Sequence, residues 1–450
     1  MYKLALINGE IIDPVEGRYK ANIGIDKGKI QEITTNNIEA EEYIDLKGLK
    51  ISPGFVDIHF HENALEEGKI NPEFLRYEAA MGVTTAAGGN CGLNFSGHQP
   101  PEYFELLKEV ELPLNYMSFV GYNSIREEAG FSPQKPLNKG EFAELIPEIK
   151  RNLNQGACGV SVGLEYTPAI STQEMLWLGN VMTEYPNKVL AAHYRFDANR
   201  SLEAIAEMII VARETGVPFQ ISHIGSCSAF GRMDRALEMI REARKEGVDV
   251  KTDVYPYAAF STFIGSEVFA PGCFERWDKS YDSLLVANGQ HQGEWCTEEL
   301  FNKLRREEPD TQLVAFVMEE EEVDKAVAAK DTIIGSDGHL KDGGGHPRLS
   351  GTFPRVISEY VRERGLLSLE EAVKKMSFLP AQRLGLEDRG RIKEGFAADI
   401  CIFDYDRIED QSTFQEPLQT PSGIEYLLVN GELIIREGEF RGGGSGNILK

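Results

Sequence analysis

Short apolar runs alternate with amphipathic segments through the middle of the chain. Eight of these runs lie between turn residues and have the apolar content of buried strands. They are Ile51–Phe60, Val83–Gly88, Tyr116–Val120, Gly159–Val162, Val189–Ala192, Val217–Ile221, Val248–Val254 and Thr332–Ile334. Because strands and helices alternate about eight times, the pattern predicts a closed parallel (β/α)₈ barrel, the TIM barrel, rather than an open sheet.

Helical spacing is clearest between the fifth and sixth of these runs. Leu202, Ile205, Ile209 and Ala212 fall on one face of a segment that runs from residue 201 to residue 215. The pattern predicts a helix with Ser201 as its N-cap and Gly216 just after its end. Further on, Ser368-Leu369-Glu370-Glu371 has the form of a capping box and predicts the start of another helix.

Both ends of the chain differ from this middle region, because they consist of short alternating strands with turn residues between them. Strand patterns cover Tyr2–Ile12, Asn22–Asp26, Lys29–Thr34, Asp399–Asp404, Glu425–Val429 and Glu432–Arg436. Hairpin turns are expected at Asn8-Gly9, Lys27-Gly28 and Asn430-Gly431. Two strand-rich ends around a different middle are expected to pair with each other.

The predicted organisation is therefore a small β-sandwich domain built from residues 1–50 and 386–450, and a barrel domain of residues 51–385. The stretch around 260–318 is longer than a connection between a strand and a helix requires. We expect an insertion there that covers the mouth of the barrel.

Composition narrows the function. The net charge of −25 repels phosphate backbones and excludes nucleic acid as a partner, and it means that an anionic substrate needs cations placed at its site. The six cysteines form no C-x-x-C pair, which is typical of a reducing compartment. Without a signal sequence or a long apolar run, we expect a cytoplasmic protein with no membrane partner.

Histidines fall at the ends of the predicted strands. His59 and His61 are two residues apart after the first run, so their imidazoles would face one point, as a divalent metal requires. Taken alone, this pair could equally be two partly exposed strand-end histidines. His193 and His223 end the fifth and sixth runs, so four of the eight histidines lie where a barrel gathers its active site.

Two further residues end predicted strands. Asp337 follows the eighth run, and its carboxylate could ligate a metal or accept a proton from water, although a turn aspartate before glycine is common. Cys91 ends the second run between glycines, and its thiolate suits a soft metal, whereas most free cysteines are simply small buried residues. Glu165, after the fourth run, either approaches the site or caps a helix.

The order of these residues resembles that of the amidohydrolase superfamily, and the resemblance covers essentially the whole chain. The segments 53–57 (PGFVD) and 395–400 (GFAADI) are similar to its flanking motifs. Most of its two-metal hydrolases bridge the metals with a carboxylated lysine on the fourth strand, and 159–165 contains no lysine here. Cys91 in Asn90-Cys91-Gly92 instead resembles the bridging cysteine of the D-aminoacylase branch, the N-acyl-D-amino-acid deacylases.

The resemblance implies roles for these residues. Cys91, His193 and His223 would bind one zinc ion tightly, and His59 and His61 would serve a second, weaker metal position. Asp337 would be a further metal ligand and the general base, and then the general acid. Arg348, Tyr255 and Ser261 match the residues that bind the substrate carboxylate in that branch.

One position departs from the branch. Its usual lysine two residues after the sixth-strand histidine is Gly225 here, so either Arg195 compensates or the substrate differs. The expected function is hydrolysis of the linear amide of an N-acyl-D-amino acid or a close analogue, a small molecule that carries a carboxylate. The alternatives are a cyclic-amide hydrolase similar to dihydroorotase or hydantoinase, and a scaffold without catalysis, which would have lost metal ligands.

Overall fold

The computed structural model describes all 450 residues, and both ends of the chain form mixed sheets. The strands of the two ends are β1 (Tyr2–Ile7), β2 (Glu10–Asp13), β3 (Gly17–Lys20), β4 (Asn22–Asp26), β5 (Lys29–Thr34), β6 (Ala40–Asp45), β7 (Lys50–Pro53), β21 (Ile400–Phe403), β22 (Ile424–Val429), β23 (Glu432–Arg436) and β24 (Glu439–Phe440). One sheet has the order β5-β4-β1-β6 and the other β24-β23-β22-β21-β7-β2-β3. Side chains of both sheets, among them Leu6, Ile25, Ile402 and Leu428, form one apolar core, as the predicted sandwich requires.

The eight predicted barrel strands form one parallel sheet. They are β8 (Phe55–Asp57), β9 (Val83–Gly88), β10 (Asn115–Gly121), β11 (Gly159–Gly163), β12 (Val189–His193), β13 (Phe219–Ile221), β14 (Val250–Val254) and β18 (Ile333–Ile334). Each strand pairs with the next, and the ring is closed just beyond β8 and β18. There the Asp337 amide donates to the His59 carbonyl over 2.7 Å, and the His61 amide donates to the Gly338 carbonyl over 3.0 Å. The predicted barrel is confirmed.

Helices surround this sheet. They are α1 (Glu73–Ala80), α2 (Pro100–Leu107), α3 (Tyr122–Glu128), α4 (Lys139–Asn154), α5 (Thr172–Met182), α6 (Ser201–Thr215), α7 (Ile224–Ser228), α8 (Met233–Lys245), α9 (Cys273–Trp277), α10 (Glu298–Glu307), α11 (Glu320–Ala328), α12 (Arg348–Arg355), α13 (Leu369–Val373) and α14 (Leu379–Arg383). Two π-helical segments, 356–363 and 374–378, continue α12 and α13. The capping box at Ser368 is present, and Gly216 ends α6 with a φ of 69°.

The long stretch after β14 has its own small sheet. Strands β15 (Phe260–Phe263), β16 (Leu284–Val286) and β17 (Gln312–Ala315) are antiparallel in the order β15-β17-β16, with α9 and α10 between them. A second small hairpin, β19 (Leu340–Lys341) with β20 (Gly344–Gly345), follows β18.

Alternate residues of the barrel strands face opposite sides. Val189 and Ala191 of β12 belong to the inner core together with Met117 and Phe119 of β10, whereas Leu190 and Ala192 pack in the outer core. At the N-terminal end of the barrel the chain terminus pairs with β10, because the Leu449 amide donates to the Tyr116 carbonyl. The Leu449 side chain packs against the inner core.

Three local predictions are wrong. Residues 51–60 are not one strand, because β7 joins an end sheet and β8 joins the barrel. Asn8-Gly9 makes no hairpin: β1 and β2 lie in different sheets, and a Cβ on Gly9 would lie 2.5 Å from the Ile51 side chain. Ser201 is the first residue of α6 and makes no cap, since a short 3₁₀ turn leads into the helix.

All six cysteines are buried and unpaired. No helical segment combines the length and the apolar character that crossing a bilayer demands.

Candidate metal centre

Five barrel strands lead into potential metal ligands at the C-terminal end of the barrel. These are His59 and His61 after β8, Cys91 after β9, His193 at the end of β12, His223 after β13 and Asp337 after β18, and all are buried. Cys91, His223 and Asp337 have φ values of 54°, 32° and 51°, in the left-handed region that non-glycine residues rarely adopt. Three of the converging residues therefore carry backbone strain.

A first group of ligand atoms belongs to Cys91, His193 and His223, whose ligand atoms all lie within 4.8 Å of one another. The Cys91 Sγ lies 3.4 Å from the His223 Nε2, and the His223 Nε2 lies 3.0 Å from the His193 Nδ1. One thiol and two imidazoles in such a group are the donors that zinc prefers.

A second group shares the same sulfur. His59, His61, Cys91 and Asp337 also present ligand atoms within 4.8 Å of one another. The Asp337 Oδ1 lies 2.9 Å from the His61 Nε2 and 3.4 Å from the His59 Nε2, and the latter nitrogen lies 3.4 Å from the Cys91 Sγ. Cys91 thus stands between two potential metal positions.

The remaining nitrogens of three imidazoles are held by oxygen atoms. Glu165 lies 3.1 Å from the His193 Nε2, Ser226 lies 2.9 Å from the His223 Nδ1, and Asp253 lies 3.1 Å from the His59 Nδ1. An oxygen partner on one ring nitrogen fixes the orientation of the ring and leaves the other nitrogen free as a ligand. The nitrogen left free in each case belongs to one of the two groups, so the residues present fit a metal centre.

The charges of these groups support one another. Burial alone would raise the pKa of the Cys91 thiol, but His59 and His223 lower this pKa well below its ordinary value. Burial would likewise lower the pKa of His61 and of His193, but their hydrogen-bonded partners, Asp337 and Cys91 for His61 and Cys91 and Glu165 for His193, raise each pKa to about 9. Such a cluster of opposite charges favours the thiolate form that metals bind.

Arg348 lies beside this cluster. Its Nη1 lies 2.8 Å from the Asp337 Oδ2, and its Nη2 donates to the Ser261 carbonyl over 3.2 Å. The guanidinium also lies over the Tyr255 ring, 4.6 Å from the ring centroid. The buried hydroxyl groups of Tyr255 and Ser261 have no hydrogen-bond partner within the chain. Unpaired buried hydroxyls beside a cation are the features of a site for an anionic group.

A cavity of about 40 Å³ opens onto these groups and is lined by His61, Cys91, Asp337, Ser261 and Arg348, among others. It adjoins an outer cavity of about 480 Å³. The residues common to both linings are Leu93, Phe95, Phe263, Gln312 and His339. The ring of His339 stacks on Phe95 with 4.4 Å between centroids, so this residue, which sequence reasoning left without a role, lies at the entrance.

Comparisons with known proteins agree with this geometry. The profile of the Amidohydrolase family matches residues 290–435. The chain is 30% identical to a D-aminoacylase of Alcaligenes xylosoxydans xylosoxydans over 482 aligned positions, which cover 100% of this chain and 97% of the relative. The chain belongs to the amidohydrolase family.

Within that family it is a metal-dependent amidohydrolase of the D-aminoacylase branch. A crystal structure of N-acyl-D-glutamate deacylase from Bordetella bronchiseptica, in complex with zinc and a phosphonate inhibitor that mimics the tetrahedral intermediate, has a TM-score of 0.89 and 29% identity, and covers 100% of this chain and 99% of its own. A solved D-aminoacylase described with a binuclear metal centre has a TM-score of 0.88 and 28% identity, and both chains are covered over 100%.

Three supporting residues of this amidohydrolase were missed or left open. Glu165 approaches the site, which settles one of the two interpretations of this residue. Asp253 and Ser226 were given no role, although Asp253 is the second-last residue of β14, at the same end of the barrel as the candidate ligands, and that position was a usable signal. Ser226 lies on the short helix α7, where the sequence carries no comparable signal.

The position of Arg195 removes one explanation for Gly225. Its guanidinium pairs with Glu207 over 2.9 Å and donates to the carbonyls of Pro168 and Ile170, so it does not line the cavity. A Cβ on Gly225 would lie 3.2 Å from the Met318 Cε, which shows that an apolar side chain packs against this position. Arg348 is thus the sole arginine or lysine in the lining of the inner cavity.

Proposed function

We propose that this amidohydrolase is zinc-dependent and hydrolyses the amide bond of an N-acyl-D-amino acid or a close analogue. The observation that carries the proposal is the position of Arg348, whose guanidinium lies 2.8 Å from Asp337 at the edge of a two-part metal site. A cation at this distance from the reacting groups would fix a substrate carboxylate beside its own amide bond.

Zinc fits the donor set better than a hard cation does, because a thiolate and imidazoles surround the site. Cys91, His193 and His223 would hold the first ion, and His59, His61 and Asp337 would serve a second position. When bound, zinc supplies a Lewis acid that lowers the pKa of water and polarises a carbonyl group.

Asp337 would carry the proton. Burial alone would raise the pKa of this carboxyl group, but Arg348 and the site histidines lower the pKa well below its ordinary value. The residue is therefore ionised at neutral pH and can accept a proton from the attacking water at Oδ1 or Oδ2. The same group would then donate that proton to the departing amine, because the bond cleavage leaves a basic nitrogen within its reach.

Arg348, Tyr255 and Ser261 would bind the substrate carboxylate. Two of these groups are hydroxyls that lack partners within the chain, and the third is a guanidinium that matches a carboxylate by a two-point fork. A bound carboxylate would satisfy all three and would hold the amide in one orientation, which favours one enantiomer.

Gly225 supports a second candidate, hydrolysis of a cyclic amide. A hydantoin carries no carboxylate and needs no second cation, and at Gly225 no lysine or arginine accompanies Arg348 in the inner cavity. Against this candidate stand the absence of a lysine in β11 and the place of Cys91 in both ligand groups. A non-catalytic scaffold is disfavoured, since every ligand position is retained.

The deciding experiment measures bound zinc and then compares matched N-acetyl-D- and N-acetyl-L-amino acids with dihydroorotate and hydantoins. We expect about one or two zinc ions per chain and amine release from the D-enantiomers. In the Arg348→Met variant KM for the D-substrate should rise strongly, because the carboxylate loses its partner. Ring opening without deacylation would favour the cyclic-amide candidate, and a protein that binds no zinc would overturn the proposal.

A further inference from the structure

A chain of charged groups leads from the ligand His193 to the segment between β15 and β16. Glu165, which lies 3.1 Å from the His193 Nε2, is only 6% exposed, and Asp197 nearby is 2% exposed. Two buried carboxylates are costly unless hydrogen bonds or cations compensate their charge. Their partners therefore decide whether Glu165 keeps its position beside the imidazole.

The cation that serves both carboxylates is Arg276 of α9. Its Nε lies 2.6 Å from the Asp197 Oδ1, and its Nη2 lies 3.8 Å from the Glu165 Oε1. The neighbouring Trp277 donates from Nε1 to the second oxygen of Asp197 over 2.7 Å. The guanidinium is itself fixed, because its Nη2 donates to the Val268 carbonyl over 2.7 Å.

We propose that Arg276 is a positioning residue for the zinc ligand His193. It acts through Glu165. The guanidinium compensates the negative charge of the buried carboxylate, and the carboxylate accepts a hydrogen bond from the N–H group of the His193 Nε2. This hydrogen bond leaves the Nδ1 free to face the Cys91 sulfur and His223. Without Arg276, the two uncompensated carboxylates would repel each other, and Glu165 would turn away from the imidazole.

The consequence is that a helix of the inserted segment contributes to metal affinity although none of its residues belongs to a ligand group. Oxygen partners that orient metal-ligating histidines commonly change metal affinity about 10- to 100-fold when they are removed. Arg276 is one contact further out, and its effect should be of this size because it serves both carboxylates.

The inference rests on the proposed zinc site, and its test uses the full-length protein with zinc. The dissociation constant is measured by competition with a chromophoric chelator for wild type, Arg276→Met and Arg276→Lys. The methionine variant keeps the apolar stem and removes the charge, so zinc affinity should fall roughly 10- to 100-fold. The lysine variant should recover most of the lost zinc affinity, which a role in packing alone would not explain.

Two further variants separate charge compensation from folding. Arg305 lies on α10 of the inserted segment and donates only to the carbonyls of Ile264 and Ser266. Arg305→Met should therefore leave zinc affinity unchanged. Glu165→Gln keeps a hydrogen-bond acceptor for His193 but removes its charge. Arg276→Met should therefore lower zinc affinity much less in this background than in wild type.

Equal zinc affinity in wild type and Arg276→Met would overturn the inference while the proposed function stands. A loss of zinc affinity in Arg305→Met equal to that in Arg276→Met would also overturn it. The same holds if Arg276→Met lowers zinc affinity as much in the Glu165→Gln background as in wild type. A wild-type protein that binds no zinc would instead overturn the proposed function and this inference together.

Discussion

The two ends of the barrel differ although the same strands form both. On β12 the inner row runs from Val189 through Ala191 to His193, from the apolar core to a potential metal ligand. Two other strands repeat this spacing, since Ala87 and Ile333 lie in the inner core while Cys91 and Asp337, each four residues on, lie in the ligand groups.

This difference shows that position along a strand, rather than residue type alone, decides the role of an inward-facing side chain. The C-terminal end gathers buried polar groups, among them three residues with left-handed backbone, Cys91, His223 and Asp337. The N-terminal end is filled by apolar side chains, with Leu449 of the chain terminus packed against them. Substitutions at the C-terminal end should therefore change zinc binding and turnover, and substitutions at the N-terminal end should change the free energy of unfolding.

The largest expected effect is that of Asp337→Asn, which removes the proposed proton carrier at the C-terminal end of β18. Turnover should fall by about 10²- to 10⁴-fold while zinc is retained, because an amide cannot accept the proton. Steady-state kinetics and metal analysis of the same preparation test this. Asp331 precedes β18 at the opposite end and forms an exposed ion pair with Arg244, so Asp331→Asn should leave turnover unchanged. Near-normal turnover of Asp337→Asn would exclude this residue from the proton transfer.

Two buried cysteines offer the next comparison. Cys91→Ala should lose the tightly bound zinc, with affinity reduced by more than about 100-fold, since a direct ligand matters more than its supporting partners. Cys158 is buried at the N-terminal end of β11, and Cys158→Ala should keep zinc and lose about 1 kcal/mol of stability. Chelator competition and denaturant unfolding distinguish the two results. Retention of tight zinc by Cys91→Ala would contradict the shared-sulfur arrangement.

A buried lysine at the N-terminal end predicts a pH effect. Lys375 donates to the carbonyls of Ala329 and Thr332 just before β18, and burial lowers its pKa to about 8. The unfolded chain keeps this proton up to about pH 10.4, so between pH 8 and 10.4 it binds more protons than the folded protein. The free energy of unfolding should therefore rise by roughly 3 kcal/mol across this window.

Denaturant unfolding of wild type and Lys375→Met at a series of pH values measures this contribution as the difference between the two curves. Lys374→Met, at the adjacent and less buried position, should keep the wild-type pH dependence. Parallel curves for wild type and Lys375→Met would show that this lysine does not change its protonation on folding.

The smallest effect is expected at the chain terminus. Leu449 is half-buried against the inner core, so Leu449→Ala should lower the free energy of unfolding by about 1 kcal/mol. Zinc affinity should be unchanged, because the side chain lies at the opposite end from the ligands. A change in zinc affinity without a change in stability would contradict the separation of the two ends.

The barrel and the convergence of the candidate ligands could be predicted because their signals are local. The run from Val189 to His193 shows an apolar strand and a histidine at its end, and β-branched patterns at the chain ends show hairpins. The hairpin prediction at Asn8-Gly9 was wrong because Gly9 is required by the close approach of the Ile51 side chain, a contact between segments that are far apart in sequence. The N-cap prediction for Ser201 was wrong because a 3₁₀ turn of residues 198–200 leads directly into α6, so Ser201 is already helical.

The supporting residues could not be predicted in the same way. Glu165 contacts His193 across 28 positions of the chain, and Ser226 contacts His223 from the short helix α7, which the sequence pattern does not indicate. Arg276 lies in the inserted segment, where charged residues are common and the pairing with Asp197 appears only in three dimensions.

The contact between His61 and Asp337 joins residues that are 276 positions apart, at the place where the first and last barrel strands meet. Contacts of such long sequence separation form late and slowly, because the entropy of closing the loop must be overcome first. The complete ligand set therefore exists only after the ring of strands has closed. During refolding, binding of a second metal ion beside His59, His61 and Asp337 would mark the completion of the barrel, so metal uptake at that position would report on the last step of folding.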